Sequence, residues 1–140
     1  MRQVFVLVLF LHLVGPAAAG SATLTRAEDG HWWAETKVNG RPIQMLVDTG
    51  ASSVALTLAD ARKAGIDVAN LKFNVRMRTA NGVALGADVM LERLDLGTVR
   101  VRDVPAVVMQ KGLSTSLLGM SWLSRMDRFQ VEGQELRLRN

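Results

Sequence analysis

The feature that most constrains this chain is its spacing of two-residue turns. Asp29-Gly30, Asn39-Gly40 and Asn81-Gly82 each separate apolar runs, and such pairs are the strongest short-range hairpin signals. The runs between them are short: Thr23-Leu24-Thr25, His31 to Val38, Arg41 to Val47, and Val83 to Leu91. Phe73, Val75 and Met77 alternate with Asn74, Arg76 and Arg78, the period of a half-buried strand. Further strands are expected at Leu94–Leu96, Val99–Val101, Pro105–Met109, Phe129–Val131 and Leu136–Leu138. One helix is clear, with Thr57 as N-cap, Asp60 three residues on, Leu58 to Ala64 as body and Gly65 closing it. A second, short helix is expected over Ser121 to Arg125. The chain reads as mainly β, with one or two short helices.

Composition narrows the chemistry. A chain of 140 residues makes one domain. Three Trp, four Phe and no Tyr leave the core to aliphatic side chains. The absence of Cys excludes disulfides, thiolate metal sites and cysteine nucleophiles, and two histidines, His12 and His31, exclude a His-rich metal site. No metal and no cofactor are expected. Seventeen basic against thirteen acidic residues give a net charge of +4, with the arginines scattered. That excess is too weak to argue nucleic-acid binding. The pairs Arg76/Arg78, Arg100/Arg102 and Arg137/Arg139 read as solvent-facing rows on strands. Asp88, Asp95, Asp103 and Asp127 read as surface or turn acids, with Asp127 pairing to Arg125 or Arg128. Of Trp32 and Trp33, one is expected to pack and the other to lie at an edge.

Residues 1–19 read as an export signal, not as part of the fold. Met1-Arg2-Gln3 is a short positive start, Val4 to Val14 is apolar apart from His12, Gly15-Pro16 breaks a helix, and Ala17-Ala18-Ala19 fits a small-residue cleavage site. Eleven core residues fall short of the ~20 that span a bilayer. Cleavage after Ala19 is expected, leaving residues 20–140 as an exported, periplasmic domain. The alternative is a retained membrane anchor.

The stretch Met45-Leu46-Val47-Asp48-Thr49-Gly50-Ala51-Ser52 carries the chemistry. An acid at the end of an apolar strand is costly unless its carboxylate is hydrogen-bonded or shared. The glycine two residues on lets backbone N–H groups come close. Asp48-Thr49-Gly50 resembles the Asp-Thr/Ser-Gly signature of aspartic proteases, and Ser52-Ser53-Val54-Ala55 resembles the family's continuation. The signature follows an Asn-Gly hairpin and precedes a helix and a second hairpin, and Leu117-Leu118-Gly119 comes about 70 residues later. That order resembles the single-lobe retroviral-type (retropepsin-like) proteases over roughly Trp33 to the C-terminus. Leu117-Leu118-Gly119-Met120-Ser121-Trp122-Leu123 looks closest to their bacterial, exported or membrane-targeted branch.

The resemblance implies a closed β-barrel of the acid-protease type with a flap hairpin. It implies Asp48 as the catalytic acid, with Thr49 bonding across to its mate in a partner subunit and Gly50 and Ala51 lining the carboxylate. It implies a flap tip of Ala80, Asn81 and Gly82, a second loop supported by Leu117, Leu118 and Gly119, and pocket regions near Met90 and Met109. One departure stands at Met120-Ser121, where retroviral enzymes have an Arg and an acid or amide that tie the dimer, so those contacts are not implied. Having one such Asp in a single-lobe chain implies a homodimer, with an extended peptide or protein as substrate. The alternating Leu136-Arg137-Leu138-Arg139 is expected to pair with the partner's terminus. Ala51 stands where the family often has Ser or Thr, so a hydroxyl that would stabilise the ionised carboxylate is missing and activity is expected to persist toward neutral pH.

Two other readings belong to different classes. One is a dimeric binding module that keeps the fold without turnover. The other is an exported β-barrel that binds acidic polymers through its Arg rows. Retention of Asp48, Thr49 and Gly50 together favours the endopeptidase.

Overall fold

The computed structural model describes residues 19–140. The expected leader therefore lies, apart from Ala19, outside the described residues. Asn39 and Gly40, both at positive φ, join strand β2 (Trp33–Val38) to β3 (Arg41–Val47) in an antiparallel hairpin. The end of β3 runs parallel to the short strand at Ser116–Leu118, and this strand touches a second short one at Val54–Leu56. In chain order the latter is β4 and the former β8. β4 runs parallel to β7 (Val99–Met109), which pairs with β6 (Gly82–Leu96). The far half of β6 returns to β2, with Thr36 opposite Leu96 and Val38 opposite Leu94. These pairings close a ring of six strands, β2-β3-β8-β4-β7-β6. β5 (Val75–Thr79) pairs only with the near half of β6 and makes a projecting hairpin with it.

Two expectations about strand breaks are corrected. The runs through Leu91 and Leu94–Leu96 form one strand, as do Val99–Val101 and Pro105–Met109. Glu92-Arg93 is no turn sequence. Asp103 takes a left-handed φ of 51° inside β7 and bends the strand without ending it. The Arg125 guanidinium donates to the carbonyls of Arg102 and Asp103 at this bend (3.4 and 3.2 Å), so it does not pair with Asp127.

The barrel interior is aliphatic, as the scarcity of aromatics requires. Ile43, Met45, Leu56, Leu91, Leu94 and Leu118 are fully buried around Trp122, whose indole N–H donates to the Leu94 carbonyl (3.1 Å). Helix α1 (Leu58–Lys63) packs Ala61 onto this core, and the Thr57 side chain accepts from the Asp60 N–H as expected. A 3₁₀ turn at Val68–Asn70 leads on to β5. Helix α2 spans Met120–Leu123, starting one residue earlier and ending two earlier than expected. Asp95 is a correction: it is buried, not on the surface, and pairs with Arg93 (2.8 Å), because Leu94, Asp95 and Leu96 are all covered where β6 meets β2. The three Arg pairs are solvent-exposed, as expected.

The chain ends build a separate three-stranded sheet of β1 (Ser21–Thr25), β10 (Glu135–Arg139) and β9 (Arg128–Glu132), in that order. β10 is its middle strand, with Leu136 opposite Leu24 on one side and Val131 on the other. The expectation that Leu136–Arg139 pairs with a partner's terminus is therefore corrected: both sides of β10 are occupied within its own chain.

Candidate active site

Apolar alternation ends β3 at Val47, and the parallel pairing of Met45-Leu46-Val47 with Ser116-Leu117-Leu118 brings two loops together at one end of the barrel. Asp48 opens the first loop, and its N–H donates to the Leu118 carbonyl (3.1 Å). Its carboxylate Oδ1 accepts the Gly50 N–H (2.8 Å), and its carbonyl accepts the Ala51 N–H (3.2 Å). The first loop is thus folded around its own acid.

The second loop locks it from below. The Met120 N–H donates to the Ala51 carbonyl (2.8 Å). A Cβ at Gly119 would stand 2.1 Å from the Ser53 carbonyl oxygen and 2.8 Å from that of Ala51, so only glycine lets the two backbones pass this closely. Ser121 Oγ accepts the Val54 N–H (2.8 Å) and donates to the Pro105 carbonyl (2.7 Å). Buried Ser116 accepts the Thr57 N–H (3.1 Å) and donates to Asp60 (2.6 Å). Ser116, Asp60 and Ser121 were not singled out as site supports from sequence. The one available signal is a serine just before the Leu117-Leu118-Gly119 run and another two residues after it.

Above the loops lies an open cavity of ≈ 420 Å³, walled by Asp48, Ala51, Met77, Ala80, Asn81 and Leu117. The β5–β6 hairpin covers it. Its turn is centred on Ala80-Asn81, with Gly82 at positive φ beginning β6, one residue earlier than the Asn81-Gly82 turn expected. Thr79 Oγ1 donates to the Gly82 carbonyl (2.8 Å) and accepts the Asn81 N–H, holding the tip. Most of the expected site residues therefore meet around one space. Gly50 also lines it, Leu118 and Gly119 are buried beneath it, and Thr49 is exposed beside it. Met109 reaches the cavity wall. Met90 does not: it is 62% exposed on the outside of β6, a correction to its expected pocket position.

Among the described residues, no three or more His, Cys, Asp or Glu side chains come together as a metal cluster. His31 is exposed on the turn before β2, where its N–H and the Trp33 indole both donate to Asp29. The His31 backbone bond, then the Trp33 bond, hold the Asp29 carboxyl below its usual range.

A hydrogen-bonded Asp at the end of a barrel strand, under a hairpin flap, has clear relatives. The profile of the family described as "gag-polyprotein putative aspartyl protease" matches residues 34–125. The crystal structure of a retropepsin-like aspartic protease from Rickettsia conorii superposes with a TM-score of 0.79 at 36% identity, covering 87% of this chain and 92% of that one. This chain belongs to the retropepsin-like aspartic proteases. The inhibitor-bound EIAV protease shares the fold at a TM-score of 0.60, with 16% identity over 72% of this chain and 92% of that one. A Sinorhizobium sp. protein, "Uncharacterized protein in cobV 5'region", is 48% identical over 118 residues, 84% of this chain and 51% of that protein. "Uncharacterized protein RP867" of Rickettsia prowazekii (strain Madrid E) is 38% identical over 113 residues, 81% of this chain and 48% of that protein. The retropepsin-like chain thus spans about half the length of these two curated relatives.

Proposed function

We propose that this chain is an aspartic endopeptidase whose active unit pairs Asp48 from two copies. The observation that carries the reading is the Asp48 carboxylate, held by the Gly50 N–H at 2.8 Å and open to the cavity beneath the flap. One carboxylate cannot at once take a proton from water and give one to the substrate. Two brought face to face share a single proton, because both cannot ionise so close together. The ionised one takes a proton from a bridging water as its oxygen adds to the scissile carbonyl carbon, and the protonated one gives its proton to the carbonyl oxygen. The tetrahedral adduct then collapses: the C–N bond breaks, the nitrogen leaves with the proton that the first carboxylate took from water, and the hydroxyl on the former carbonyl oxygen returns its proton to the second carboxylate as the C=O re-forms.

The free side of β5 supports an extended peptide as substrate, since a strand with one open edge accepts another by β-augmentation. Ala51, Met77, Met109 and Leu117 on the cavity wall suit apolar side chains beside the cleaved bond. The composition of residues 1–19 supports an exported, periplasmic enzyme, membrane-bound only where that segment is retained. The test is Asp48→Asn assayed for both cleavage and binding of a peptide library. The Asn side chain can still accept the Gly50 N–H, so folding and binding should persist while hydrolysis falls by about 10²–10⁴-fold. Cleavage at the parent rate would overturn the assignment.

A further inference from the structure

A second, open hollow lies away from the Asp48 cavity. Its volume is ≈ 220 Å³, and Asn39, Gly40, Glu92, Arg93 and Arg102 line it. β3 starts at the Asn39-Gly40 turn and ends next to Asp48, and a strand of that length spans about 20 Å. The two spaces therefore stand at opposite ends of the β2–β3 hairpin.

The ladder sets two arginines face to face in this hollow. Arg93 on β6 is directly opposite Arg102 on β7, and like charges so placed repel unless something negative lies between them. Arg102 has no ion-pair partner among the described residues. Arg93 meets the buried Asp95 through Nε, 2.8 Å from Oδ2. The other Asp95 oxygen, Oδ1, has no hydrogen-bond partner, so the terminal nitrogens of Arg93 are not spent on that carboxylate. Asp95 is also shared, with Lys37 across from it on β2 and Arg100 across from it on β7. One acid thus faces three cations, and the Arg93–Arg102 pair keeps excess positive charge. Arg125 adds to it, since its guanidinium donates to the Arg102 carbonyl (3.4 Å). Glu92 and Asp103 are the other acids close by. Both are exposed, and neither forms an ion pair among the described residues.

The turn beside the arginines is fixed in place. The Asn39 N–H donates to the Arg93 carbonyl (2.9 Å), and the Arg93 N–H donates to Asn39 Oδ1 (3.2 Å). This reciprocal pair locks the turn against β6 and leaves the Asn39 Nδ2 group as a spare donor. Two guanidinium groups and an amide, held by backbone bonds and a buried carboxylate, therefore border one space. A ligand carboxylate, with one charge and two oxygens, is satisfied by a single guanidinium fork. Two opposed forks fit a group with two charges and more oxygens.

From this we propose that the hollow binds a phosphate group in its dianionic form, either inorganic phosphate or the monoester headgroup of a lipid. The site is separate from Asp48, and its test needs no hydrolysis.

The probe is inorganic phosphate, titrated calorimetrically into the full-length chain at constant ionic strength. Saturable binding of one phosphate per chain is expected. Arg102→Gln removes an exposed, unpaired side chain and should weaken binding by about tenfold or more. Lys72→Gln, which removes an exposed cation elsewhere, should leave it unchanged. Arg102→Lys should restore only part of the affinity, because an ammonium lacks the fork. Glu92→Gln removes an opposing charge and should tighten binding by about twofold or more. Thermal unfolding of each variant without phosphate, matching the parent, shows that the fold is kept. The proposal is overturned by no saturable binding to the parent, or by equal weakening in Arg102→Gln and Lys72→Gln. Acetate binding as tightly as phosphate, or weaker binding by Glu92→Gln, would overturn it as well. Co-sedimentation with phosphatidylcholine vesicles, with and without phosphatidate, separates the two sources. Retention on phosphatidate vesicles that inorganic phosphate reverses assigns the group to a lipid headgroup. Phosphate binding without such retention assigns it to a soluble ligand.

Discussion

Every strand of the six-membered ring has a neighbour on both sides, whereas the terminal sheet stops at β9 with half its backbone groups unpaired. The loops that hold Asp48 belong to the closed part. They are bonded to each other through Leu118, Ala51 and Met120, and packed so closely that Gly119 has no room for a Cβ. The geometry around one carboxylate is therefore built by one chain. The open edge belongs to the other part, which carries apolar side chains that its own core does not cover. In the proposed enzyme the closed part fixes the acid and the open part brings the second acid to it. Substitutions in the two regions should then fail in different ways.

The largest effect is expected in the closed region. Gly119→Ala drives a methyl into the backbone carbonyls of Ser53 and Ala51, and neither can retreat without breaking the loop. A loss of about 1–3 kcal/mol or more is expected in urea unfolding, together with loss of hydrolysis. Parent-like unfolding would mean that the two loops are not packed as described.

A smaller and different effect is expected at the open edge. Val131→Lys places a charge where strands would pair, on a residue that is already 46% exposed. Unfolding of the dilute chain should change by no more than about 0.5 kcal/mol. The dimer constant from sedimentation should weaken by about tenfold or more, equivalent to ~1.4 kcal/mol. An unchanged constant would remove the contrast between the regions.

The smallest effect concerns Ala51, which lines the cavity beside the carboxylate. Ala51→Ser supplies a hydroxyl that favours the ionised form. The acid limb of the pH–rate profile should move toward lower pH by up to about one unit. No movement, or movement toward alkali, would contradict the role given to this position.

Local signals made much of this legible. The Asn39-Gly40 hairpin, the Thr57 cap and the apolar strand ending in Asp48 are all set by residues within a few positions of one another, and the structure has them where the sequence points. What escaped was set at long range. The bend at Asp103 is held by Arg125, 22 residues away, so the sequence around it reads as a break. Ser116 joins Thr57 and Asp60 from 59 and 56 residues away, which no local pattern announces. The alternation of Leu136 to Arg139 says that one face is buried, not that β1 lies beside it, more than a hundred residues earlier in the chain. The Leu94-Asp95-Leu96 segment loses its alternation where β2, far away in sequence, pairs beside it to close the barrel and all three residues are buried.

The most direct test of the central claim is a mixing titration. The parent chain is combined with increasing Asp48→Asn chain at constant total concentration, subunits are allowed to exchange, and peptide hydrolysis is followed. If each active site takes Asp48 from two copies, one-acid heterodimers are inactive and activity falls with the square of the parent fraction. Activity that falls in direct proportion to the parent fraction would contradict the account, because each chain would then be working alone.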